Sequence, residues 1–110
     1  MDETKQWLDS IDSHCEQFNA GWIAMRRHLH QHPELSEAEF LTTEFLAAEL
    51  GKLELPTHVP GEGRGVTADL ITSPKIADGR RIAIRGDIDA LPIQDSKAVE
   101  YRSQCDGVMH

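Results

Sequence analysis

Apolar residues recur at Trp7, Ile11, Cys15, Phe18, Trp22, Met25 and Leu29, in steps of three or four that stack on one face of a helix. This predicts a long first helix. Gly21 lies inside it and costs about 1 kcal/mol relative to alanine, so a kink or a join of two helices is allowed there. Pro33 ends the pattern, because the residue before a proline is pushed out of the helical region. Ser36-Glu37-Ala38-Glu39 reads as a capping box, with Leu41, Phe45 and Ala48 as the buried stripe of a second helix and Gly51 as a left-handed C-cap. That helix should stop near Lys52.

Beyond Pro56 the texture changes. Gly61, Gly63 and Gly65 punctuate a turn, and the alternating run Val66-Thr67-Ala68-Asp69-Leu70-Ile71 predicts a strand. Asp78-Gly79 signals a turn between Lys75 and Arg80, after which Ile82-Ala83-Ile84 resumes strand character and could pair antiparallel with the first run. Helices followed by strands of a mixed sheet imply a mixed α/β or α+β layer, and α/β is the class expected.

Composition narrows the function classes. The 110 residues suffice for one small domain. A net charge of -8 argues against nucleic acid and anionic membrane surfaces as partners. The first residues, MDETKQWLDSIDSHCEQ, lack the basic start and apolar core of a secretory signal, and no stretch approaches the ~20 apolar residues of a membrane span. Cys15 and Cys105 stand far apart in no metal or disulfide pattern, so a reducing, cytoplasmic setting is expected.

Several groups could carry chemistry. His28 and His32 are at i and i+4, the spacing of two imidazoles that share a metal on a helix, although leucine stands where H-E-x-x-H has glutamate. Packed or solvated histidines at a helix end are the alternative. Arg26 and Arg27 make a basic patch that a substrate carboxylate or a neighbouring acid could meet. Gly61-Glu62-Gly63-Arg64-Gly65 precedes a strand rather than following one, which rejects a phosphate-cradling loop. No serine elbow is present, and Cys15 reads as an inert core thiol. Arg85-Gly86-Asp87 spells an adhesion tripeptide, but a triplet arises readily by chance. In Arg81-Ile82-Ala83-Ile84-Arg85-Gly86-Asp87-Ile88-Asp89, a strand would send Asp87 and Asp89 to the same side. There they could support a metal site, or simply mark a solvated strand end.

Together, Arg26-Arg27-His28-Leu29-His30-Gln31-His32-Pro33-Glu34-Leu35-Ser36 with Glu39, Arg85-Gly86-Asp87-Ile88-Asp89-Ala90-Leu91-Pro92-Ile93, and Tyr101, Ser103 and Gly107-Val108-Met109-His110 carry a resemblance. In that order they resemble the start of the M20 metallopeptidase family, in the amidohydrolase branch of hippurate, N-acyl-amino-acid and auxin-conjugate hydrolases. The resemblance implies that residues 1–110 are the N-terminal portion of a catalytic domain, with its remainder and an inserted dimerisation domain absent. It implies hydrolysis of N-acyl amino acids by a homodimer using divalent metals (zinc, manganese, cobalt or nickel), and a fragment inactive by itself. A truncated remnant or small interaction module is the alternative.

Asp89 matches the aspartate that orients a metal-binding histidine in the wider family, and Asp87 falls where that family has the histidine itself. The amidohydrolase branch also has aspartate there, so the resemblance assigns Asp87 no firm ligand role. In that branch Gly-Val-Met-His runs into Ala-Cys-Gly-His-Asp, which carries metal ligands. Neither His110 nor Cys105 takes their place, and no metal ligand is assigned within this chain.

Overall fold

The computed structural model describes residues 2–72 and 79–110. Helix α1 spans Glu3–Gln31, helix α2 Phe40–Gly51, and strands β1 (Thr57–His58) and β2 (Thr67–Ala68) pair antiparallel. The architecture is an α/β one of two helices and a small sheet.

Asp2 starts α1 by accepting from the Thr4 amide at 3.1 Å, which satisfies one of the helix's orphan donors. The helix runs unbroken through Gly21 and ends ahead of Pro33, with the His32 amide still donating to the His28 carbonyl at 3.1 Å. Its apolar stripe is spaced as the sequence predicts, but it is not buried. Trp7 is 71% exposed, and Ile11, Cys15, Phe18 and Trp22 are also exposed. Within the stripe, Phe18 and Trp22 stack along the helix at 6.4 Å. No described element covers them.

The start of α2 differs from the predicted capping box. Glu37 takes a left-handed φ of 70°, which takes Ser36 out of the N-cap position, and Glu39 stands at the N-cap without a side-chain hydrogen bond. Glu34 does the capping from upstream: its carboxylate accepts from the amides of Leu41 at 3.2 Å and Thr42 at 2.6 Å. Replacing Glu34 with alanine should therefore cost about 0.5–2 kcal/mol in thermal unfolding, the range for losing an N-cap.

The predicted buried stripe of α2 is also displaced. Leu41 and Ala48 are exposed and Phe45 is half-buried, whereas Thr42 and Thr43 are buried. The Thr43 hydroxyl donates to the Glu39 carbonyl and accepts from the Gly65 amide at 2.7 Å, which ties the helix to the glycine-rich turn. Gly51 is an ordinary residue of the helix, and the left-handed position falls instead at Glu54, with φ 55°.

The sheet is shorter than predicted and pairs differently. Thr57 faces Ala68 and His58 faces Thr67, joined through Gly61, Gly63 and Gly65, all at positive φ. Residues 79–89 form no strand, and Ile82 and Ile84 are 95% and 97% exposed. Among the described residues, these two β-branched side chains have no neighbouring strand or helix to pack against. Of the turn predicted between Lys75 and Arg80, residues 75–78 lie outside the described residues.

Beyond Ile88 the chain returns to the helices. The Ala90 amide donates to the Glu34 carbonyl at 2.8 Å in a parallel bridge, and Leu91 and Met109 exchange two bonds at 2.8 and 3.0 Å in an antiparallel one. Ala90 is buried, and His110 is brought back beside Ile88.

Candidate functional site

A cleft of about 390 Å³ opens between the last turns of α1, the start of α2 and the returning chain. Trp22, Met25 and Leu29 supply part of its apolar wall, while Arg26, His30, Asp87 and His110 bring polar groups to it. The imidazole of His110 stands 3.3 Å from the Ile88 carbonyl, which fixes it at the rim. Thr42 also lines the cleft, with a buried hydroxyl that has no partner among the described residues.

Under the cleft floor lies the best-connected polar group of the described chain. Asp95 is wholly buried (0% exposed), and its Oδ2 accepts from the Ser103 amide at 3.0 Å and contacts His30 Nε2 at 2.9 Å. Its Oδ1 accepts from the Lys97 amide at 3.1 Å and the Lys97 ammonium at 3.4 Å. The Ser103 amide, foremost, holds the Asp95 carboxyl well below the usual carboxylate range. Burial opposes this, while the Lys97 amide, the His30 ring and the Lys97 ammonium reinforce it.

An ionised Asp95 can only accept, so His30 donates from Nε2 and its tautomer is set. Lys97 Nζ lies 3.4 Å from that same nitrogen, but it too carries only donors, so its bond goes to Asp95. Arg102 adds a bond from Nε to the Asp95 carbonyl at 3.0 Å. The pair thereby locks the end of α1 to the segment from Ala90 to His110.

Nothing local in the sequence marks this pair, because 65 positions separate its members. His30 was visible only as one of several clustered histidines, and Asp95 follows an irregular stretch with no periodicity.

Of the residues singled out from sequence, Asp87 lies at the cleft and Asp89 does not line it. With residues 79–89 irregular, the strand alternation that would aim both acids to one side does not operate. Asp87 pairs with Arg85 at 2.8 Å, both well exposed, a contact worth about 0.2–1 kcal/mol at most. The Asp89 carboxylate is exposed and has no partner among the described residues. Arg26 reaches the cleft, while Arg27 lays its guanidinium over the Tyr101 ring, 4.5 Å from the centroid. Cys15 and Cys105 are free and exposed.

No family model matches the chain. An N-acetyl-L-cysteine deacetylase of Bacillus subtilis is 42% identical over 88 residues, which is 80% of this chain and 20% of that protein. An uncharacterized hydrolase of Staphylococcus aureus is 52% identical over 85 residues, 77% of this chain and 21% of the relative. The crystal structure of the B. subtilis YxeP protein, a dinuclear metal binding peptidase from the M20 family, matches with a TM-score of 0.77. Identity there is 43%, and the match covers 86% of this chain and 26% of that one.

The homologues of this chain are amidohydrolases, and its structural likeness is to a peptidase of the M20 family. The chain spans about a fifth of the length of the curated relatives it matches. The two helices and the small antiparallel sheet correspond to an α/β part of an M20 peptidase domain.

The M20 neighbour binds two metals, and the donors of the present chain can be weighed against that demand. Among the described residues, no three His, Cys, Asp or Glu side chains gather where an ion could sit. Asp87 and His110 share a cleft, but one carboxylate and one imidazole fall short of the four ligands a closed zinc site takes. The described residues do not by themselves fit a dinuclear centre.

Proposed function

We propose that this chain forms the N-terminal part of the catalytic domain of a metal-dependent amidohydrolase that cleaves N-acyl amino acids in the cytoplasm. The observation that carries this reading is the similarity, at 43% identity, to a dinuclear metal-binding M20 peptidase. The similarity to an N-acetyl-L-cysteine deacetylase supports the substrate class. Water would add across the amide, and the products would be a carboxylate and a free amino acid.

The accessible surface of this chain supports its being part of something larger. It amounts to 9131 Å², against about 6,100 Å² for a folded monomer of the same mass. The excess fits the bare stripe of α1 and the bare Ile82 and Ile84, which further residues of the catalytic domain would cover. Those further residues would hold the divalent metals (zinc, manganese, cobalt or nickel), and the whole enzyme would work as a homodimer.

Within this reading Asp89, and less directly Asp87, supply negative charge beside the site and position its ligands. Arg26, at the cleft and not stacked on Tyr101, is the cation placed to meet a substrate carboxylate. In the complete enzyme, Asp89→Asn should lower kcat for an N-acetyl amino acid about 10- to 100-fold while leaving KM nearly unchanged. Steady-state kinetics would sink the assignment of Asp89 if kcat were that of the native enzyme.

A further inference from the structure

His28 and His32 stand one turn apart at the end of α1, held at helical spacing by the bond from the His32 amide to the His28 carbonyl. Their ring centroids are 4.7 Å apart, with the planes inclined by 51°. Both side chains are exposed, and neither ring makes a hydrogen bond to the described residues. His28 is also stacked at 4.2 Å and 27° on Phe45 of α2. The stack restricts its rotamers in advance of any ligand.

The separation suits a shared ion. A first-row divalent cation binds imidazole nitrogen at about 2.0–2.1 Å, which puts each ring centre roughly 3.2 Å from the metal. At ligand angles of about 90–110° two such centres stand roughly 4.5–5.2 Å apart, and the observed 4.7 Å lies inside that range. The end of a helix favours a cation through its unpaired carbonyls, and the chain carries a net charge of -8. The nearby His30 is not a third ligand, since its Nε2 is engaged by Asp95.

We propose that His28 and His32 form a two-histidine chelate for a borderline divalent cation such as Ni²⁺ or Zn²⁺, with water filling the other coordination positions. The chelate exists only while the last turn of α1 is formed, so binding stabilises the folded chain.

The test is calorimetric titration of the intact chain with NiCl₂ and with ZnCl₂, alongside histidine ring proton spectra and thermal unfolding. One equivalent of ion should shift the His28 and His32 ring signals first and raise the unfolding midpoint. His32→Gln, at an exposed position outside the buried network, should weaken binding about tenfold or more and remove the rise in midpoint, because a single imidazole has no chelate partner. His14→Gln should leave both unchanged. Native-like affinity in His32→Gln, or ring shifts appearing first at His30 or His110, would overturn the proposal.

Discussion

Replacing Asp95 with alanine is expected to release the segment from Ala90 to His110 from the end of α1. The buried carboxylate accepts from the Ser103 and Lys97 amides and bonds His30, so its loss strands several donors in a site closed to water. Protection of the Ser103 and Lys97 amides from hydrogen exchange should fall about 10- to 100-fold. Asp95→Asn, which keeps one acceptor oxygen, should be intermediate. The claim fails if the alanine variant keeps native protection at both amides.

The same group sets an acid limit on stability. Its carboxyl is held below the usual range in the folded chain, so the folded state binds the proton less readily than the unfolded one. The stabilisation is complete above the ordinary aspartate value of about 4 and is lost as pH falls below it. Thermal unfolding midpoints should be insensitive to this group between about pH 5 and 8 and drop on acidification below about 4. Asp95→Asn should lack that part of the acid drop.

What could be read from the sequence follows from which forces are local. The helical character of α1 and its end were legible because the apolar spacing and Pro33 act within a few residues, whereas its start at Glu3, capped by Asp2, was not marked by that spacing. The burial of that spacing was not, because Trp7 and Phe18 need partners that no described element supplies. The capping box failed for a competing local reason: Glu37 turned left-handed and the carboxylate of Glu34 took the α2 amides.

The run Ile82-Ala83-Ile84 has strand propensity, but propensity without a paired neighbour does not make a strand. Likewise the two acids of Asp87-Ile88-Asp89 were legible as a pair, while only the folded chain brings Asp87 to the same cleft as Arg26 and His110. The His30–Asp95 lock depended on a contact between positions far apart in sequence, which no periodicity records.

The second large effect concerns activity. The described residues assemble no three-ligand site, and the accessible surface exceeds that of a folded monomer by about half. Both fit the proposed function, in which catalysis belongs to a longer protein whose further residues hold the metals and cover α1. Removing everything past His110 should abolish turnover rather than reduce it, since a metal site that lacks most of its ligands does not form.

The decisive measurement is release of free amino acid from N-acetyl amino acids, with zinc, manganese, cobalt or nickel supplied, by the complete enzyme and by the 110-residue chain side by side. Metal-dependent release is expected from the complete enzyme and none from the 110-residue chain. Metal-dependent turnover by the 110-residue chain, or a complete enzyme that hydrolyses no N-acyl amino acid with any of the four metals, would contradict that expectation.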